Sequence, residues 1–195
     1  MIIRKSPQEI ETMARAGAVV ADTLALLEEH IQPGATTGAL DEIAEEFIRS
    51  RGGVPTFKGY KGYPAATCLS PNSMVVHGIP GKTKLENGDI LSVDVGVTLD
   101  GFVADSAWTF PVGTIPADAQ RLLDTCKAAL EAGIAEARVG NTIGDISQAV
   151  QSVTRPPASA SSEASSGTGW GARCTKTPRC RISSPPTRAR SSRKA

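Results

Sequence analysis

The stretch from residue 89 to 110, DILSVDVGVTLDGFVADSAWTF, admits few arrangements. Two valine-rich runs of alternating character flank Asp100-Gly101, a dipeptide suited to a two-residue turn with both residues left-handed. If Asp100 and Gly101 are the turn, Leu99 faces Phe102, Gly96 faces Asp105 and Asp94 faces Ala107. Opposed residues share a sheet face, as do residues two apart along a strand. Asp94 and Asp105 are therefore diagonal neighbours on one face, with Cβ atoms somewhat under the roughly 7–8 Å quoted for such pairs. A slip of one residue would send them to opposite faces.

Two readings of the pair follow. An antiparallel sheet normally keeps one face wet, and Ser92 and Thr98 on the same face suit two solvated acids. That face also carries Ile90, Gly96, Val103 and Ala107, which is a poor solvent face. Two carboxylates so close repel one another unless a cation lies between them. The spacing would suit divalent ions about 3.5–4 Å apart, as in two-metal hydrolysis.

Helical signals precede the hairpin. SPQEIETMARAGAVVADTLALLEEHI carries Ser6 as N-cap, Pro7 at the first helical position and Glu9 closing a capping box. Its apolar stripe runs Ile10, Met13, Val20, Leu24, Leu27, and Gly17 on that stripe predicts a close approach by a neighbouring element. QPG ends the helix, and His30 in its last turn complements the helix dipole. A second helix is expected over about 38–51, with Leu40, Ile43 and Phe47 inward, stopped by Gly52-Gly53. A glycine- and tyrosine-rich loop, FKGYKGYP, and an extended segment, AATCLSPNSMVVHGIP, lead into the hairpin. Beyond it a helix is expected over about 116–138, with Leu122, Leu123, Cys126, Leu130 and Ile134 inward. Another opens at Thr142, with Asp145 completing its cap.

From Thr154 the composition changes. Residues 1–153 hold 12 Lys and Arg against 19 Asp and Glu, a net −7; residues 154–195 hold nine basic residues and a single acid, Glu163, a net +8. Ile182 is the one aliphatic residue larger than alanine in that tail. Such a segment buries too little apolar surface to offset its ordering entropy, so disorder is expected. The organisation is thus a domain over 1–153 and a Ser/Pro/Arg-rich tail over 154–195. No apolar run is long enough to span a bilayer, and the four cysteines lack paired zinc spacing. A cytoplasmic location with reduced thiols and no membrane partner is expected. His77 lies where the extended segment enters a turn, and a lone histidine in such a place is more often structural than catalytic. Tyr60, Tyr63 and Cys68 are, by the same reasoning, usually packing residues.

NSMVVHGIP, GDILSVDVGVTLDGFVADSAWTF and GNTIGDIS together resemble type I methionine aminopeptidase, from about Met1 to Val153. The resemblance implies an α+β chain: the N-terminal part of a pita-bread fold, with a curved antiparallel sheet and flanking helices. It implies a hydrolase that removes the N-terminal methionine of nascent peptides using two divalent metal ions, Co²⁺, Mn²⁺, Fe²⁺ or Zn²⁺. By position, Asp94 and Asp105 match two metal ligands. His77 matches a substrate-contacting catalytic histidine, and Tyr60, Tyr63 and Cys68 match the wall that receives the methionine side chain. A monomer is expected, with the ribosome as a further candidate partner. Proline-specific peptidases of the same fold fit less well, given the short N-terminus and VVHGIP.

The departure is equally specific. The family uses five protein ligands, and the remaining histidine and two glutamates come from the second half of the domain. This chain has no histidine after His77, and Glu163 matches neither glutamate motif. Reading each codon of Ser166–Ile182 as the third base of one residue with the first two of the next permits GHGVGREMHEDPQVPN, which restores the missing ligand histidine and the second substrate-contacting histidine that the family also has in this half. Thr154–Ser166 likewise permits EAAGFSVVRSLV. A net loss of one base near codon 154 would explain the tail. On this reading the chain is inactive as written. The alternatives are a non-catalytic remnant of the same ancestry and a ribosome- or RNA-binding protein acting through its basic RARSSRK segment.

Overall fold

The computed structural model describes residues 4–155. The tail, with Glu163 and the expectation of disorder, lies outside the described residues apart from its first two. Among the described residues no helix is long and apolar enough to cross a membrane. The described residues fall into two compact units that divide after Gln120.

In the first unit α1 (Pro7–His30) and α2 (Thr37–Ser50) precede a four-stranded antiparallel sheet. The strands are β1 (Val54–Pro55), β2 (Thr67–Pro71), β3 (Ile90–Leu99) and β4 (Phe102–Pro111). β3 is central: β4 pairs along its whole length on one side, while β1 and β2 share the other. The register is the expected one, with Leu99 opposite Phe102, Gly96 opposite Asp105 and Asp94 opposite Ala107. Asp100 (φ +49°) and Gly101 (φ +80°) are both left-handed, the requirement of a type I′ turn.

Leu91, Val93, Val95 and Val97 point to one face of the sheet and are fully buried. They meet Val19, Val20 and Leu27 of α1 and Leu40, Ala44 and Ile48 of α2. Apolar area removed from water at roughly 25 cal/mol per Å² is what holds this layer together. Ser6 and Glu9 form the capping box that starts α1, and Arg51 pairs with Asp22 at 2.6 Å to link the two helices.

Four local expectations are corrected. The inward face of α1 is Ala16, Val19, Val20, Thr23 and Leu27, whereas Ile10 is 56% exposed. No atom outside its own helix approaches Gly17, so it serves no close packing. In α2 the buried set is Leu40, Ala44 and Ile48, one step round the helix from Ile43 and Phe47, which are half-buried. The segment after β2 is not extended: Asn72 (φ +52°) ends the strand at Pro71, and a loop carries residues 72–79.

In the second unit α3 (Ala117–Glu136) continues from the first and α4 (Ile143–Thr154) follows, with the Thr142–Asp145 capping box as expected. The expected inward set of α3 is corrected. Ala129 and Gly133 are its buried residues, while Leu122, Leu130 and Ile134 are about half exposed or more and Cys126 is exposed. The reason is the neighbour: a Cβ on Gly133 would lie 2.9 Å from Val150 Cγ2 and 3.6 Å from Ile146 Cγ2, so α4 packs where α3 has its smallest side chains.

Candidate active-site cleft

The face of the β3–β4 hairpin opposite the core forms the floor of a cleft of about 550 Å³. Asp94 and Asp105 both line it, with His77, Tyr60, Tyr63 and Cys68. All six residues singled out in the sequence therefore meet in one place. Phe57, Lys61, Gly62, Pro64 and Ile79 complete the lining and carried no individual site assignment in the sequence.

Each wall has a local cause. Cys68 is the β2 residue paired with Asp94, so the ladder itself sets thiol beside carboxylate. The tyrosines come from a tight loop in which Gly59 (φ +88°), Lys61 (φ +48°) and Gly62 (φ +83°) are all left-handed. That winding presents Tyr60 and Tyr63 three residues apart to the same cleft. Tyr60 is 64% exposed at the mouth. Tyr63 lies deeper, and its hydroxyl donates to the carbonyls of Thr67 and Gly78, both at 3.0 Å. Lys58 pairs with Glu45 and tethers the start of the loop to α2, where Arg49 one turn on holds the same carboxylate. At the other end, the Asp41 carboxylate accepts from the Thr67 amide at 2.7 Å and from its hydroxyl at 2.6 Å, fixing β2 to α2.

Electrostatics single out the acids. Asp94 is half-buried and Asp105 exposed. Burial, followed by the neighbouring Asp105 carboxylate, pushes Asp94 up to about 6, with His77 opposing the rise. Burial likewise raises Cys68 and Tyr63, which stay protonated near neutrality. A half-buried carboxylate raised by burial and by a like-charged neighbour marks a half-site short of positive charge. Hard oxygen donors on one face are the chemistry a divalent ion takes. They are two donors only: among the described residues no group of three or more His, Cys, Asp or Glu side chains is arranged to hold a metal. Asp94 and Asp105 fit the role of ligands but do not complete a site.

The gap at Gly96 between the acids is filled. A Cβ there would lie 2.7 Å from Phe57 Cε1, so the Phe57 ring lies against the strand between the two carboxylates. What occupies the space beside Gly96 could be found only once β1 was placed beside β3. Away from the cleft, the expected position of His30 holds. It ends α1, and its Nδ1 donates to the Leu26 carbonyl at 2.8 Å.

Comparison with known proteins shows the family and the fold. The sequence model of metallopeptidase family M24 matches residues 11–187. Methionine aminopeptidase 1 of Bacillus subtilis is 47% identical over 151 residues, covering 77% of this chain and 61% of that protein. The crystal structure of methionine aminopeptidase from Rickettsia prowazekii is similar at a TM-score of 0.76 and 37% identity, over 78% of this chain and 62% of that one. The crystal structure of methionine aminopeptidase from Thermotoga maritima is similar at a TM-score of 0.76 and 39% identity, with the same coverage. The chain thus spans about three fifths of the length of these relatives. Prolidase from Pyrococcus furiosus, at 17% identity and a TM-score of 0.67, shares the fold alone. The α+β architecture is accordingly the N-terminal part of a pita-bread fold, and the chain belongs to metallopeptidase family M24.

Proposed function

We propose that the cleft is one wall of a methionine aminopeptidase site, in which Asp94 and Asp105 are metal ligands and His77 contacts the substrate. The observation that carries this reading is the shared face: both acids and His77 line one cleft, and burial together with the neighbouring Asp105 raises Asp94. Tyr60, Tyr63 and Cys68 supply an apolar wall of the size and softness that suits a methionine side chain. A divalent ion bound by the two aspartates would supply Lewis-acid activation of water toward the first peptide bond. The chain's own residues orient the N-terminal residue, exclude water from its side chain and offer the His77 imidazole to the peptide. The substrate class is the N-terminal methionine of nascent peptides, acted on in the cytoplasm by a monomer carrying two ions.

As printed, the 195 residues are not competent for this reaction on our reading. Two carboxylates hold a divalent ion weakly, and no histidine follows His77. The one-base frame change near codon 154 supplies the missing histidines and accounts for the tail's composition without a nucleic-acid role. The test is release of methionine from Met-Ala-Ser with added Co²⁺ or Mn²⁺. We expect none from the 195-residue chain and measurable release from a gene with the frame restored at codon 154. Release by the 195-residue chain would overturn the inactivity, and silence of the restored protein would overturn the assigned reaction.

A further inference from the structure

We infer that Ser70 is the positioning residue for His77. The proposal rests on the reading of His77 as the substrate contact, and it concerns how that side chain is held. His77 has φ +58°, a left-handed backbone that costs a residue with a side chain roughly 1 kcal/mol or more. Something must hold it there. Packing does not, because Met74, Val75, Val76 and Ile79 around it are all 47% exposed or more.

The next residue does. Gly78 is buried, and its peptide groups are gripped three times. Its N–H donates to Ser70 Oγ at 3.0 Å, and its carbonyl accepts from the Leu69 amide at 2.9 Å and from the Tyr63 hydroxyl at 3.0 Å. The N–H belongs to the peptide plane joining His77 to Gly78, so the Ser70 bond fixes the ψ angle of His77 directly. The contact is close enough to demand glycine: a Cβ at position 78 would lie 2.2 Å from the Leu69 carbonyl oxygen. Ser70 is 3% exposed within β2, a strand already pinned at its start by Asp41. The clamp thus has a rigid base, and Ser70 is the side chain that holds the peptide plane joining His77 to Gly78.

The test is NMR on the labelled full-length chain. The one-bond Cα–Hα coupling of His77 reports its left-handed backbone, and amide exchange reports the Gly78 N–H. In Ser70→Ala we expect the His77 coupling to leave the left-handed range and Gly78 to exchange about tenfold faster. The Thr67 and Cys68 amides should keep wild-type shifts. Ser70→Thr, which retains the hydroxyl, should preserve both signals. A His77 coupling and Gly78 protection unchanged in Ser70→Ala would overturn the proposal. If Ser70→Ala does not fold, Gly78→Ala breaks the same clamp from the loop side; a left-handed His77 persisting in that variant overturns it equally. Neither readout uses peptide or metal. Loss of the aminopeptidase reading would show instead as inactivity of the frame-restored protein with the clamp intact.

Discussion

The Phe57 ring occupies the volume that a side chain on Gly96 would need, with an added Cβ falling 2.7 Å from Phe57 Cε1. Gly96 stands opposite Asp105 and two residues from Asp94, so this contact sets the floor between the acids. Gly96→Ala should therefore cost about 1–3 kcal/mol by overpacking, read as a lower urea midpoint at unchanged slope. Adding Phe57→Ala should remove part of that cost, because the two residues compete for one space.

Asp94 and Asp105 should weaken the metal-free fold. Asp94 is raised from 3.8 to about 6 in the folded state, so the fold binds more protons than the unfolded chain between those values. Stability from this group is then greatest below about pH 4 and falls as pH rises toward 6. Asp105→Asn removes the like charge and should stabilise the protein at pH 8 by about 1 kcal/mol, once solvent screening in a half-open cleft is allowed for. The gain should vanish near pH 4. Urea denaturation at both pH values measures it.

Asp41 should matter more for stability than a half-buried surface acid normally does. It accepts bonds from the Ala66 and Thr67 amides and the Thr67 hydroxyl. Asp41→Ala leaves those donors unpaired and should cost about 2 kcal/mol. Thermal unfolding reads the loss, and faster exchange of the Thr67 amide localises it.

The helices of the second unit should respond in the opposite sense from their hydrophobic pattern. Leu130 and Ile134 are exposed, so Leu130→Lys and Ile134→Lys should change stability by less than about 0.5 kcal/mol. Gly133→Val, at the close approach to Val150, should lower it by about 1–3 kcal/mol. The urea midpoints of the three variants decide the order.

These outcomes trace how far the sequence could be read. The hairpin register was legible because a two-residue Asp-Gly turn leaves one pairing, and alternation then assigns every side chain to a face. The capping boxes at Ser6–Glu9 and Thr142–Asp145 were legible because a cap is a local hydrogen-bond pattern. The inward faces of α1 and α3 were not, since Gly17 and Gly133 look alike in a helical stripe and only a neighbour's position separates them. Phe57 was invisible for the same reason: its role depends on β1 lying beside Gly96. The left-handed backbones of Lys61 and His77 also left no mark, because both are residues that normally avoid that conformation and are held in it by bonds made elsewhere.

The claim on which the rest depends is that Asp94 and Asp105 grip a common cation. Titrating the chain with Mn²⁺ and following water-proton relaxation measures it directly. Weak, saturable binding that is lost in both Asp94→Asn and Asp105→Asn is the expected result. Binding that survives in either variant at wild-type strength, or a wild-type chain that binds no Mn²⁺, would contradict it.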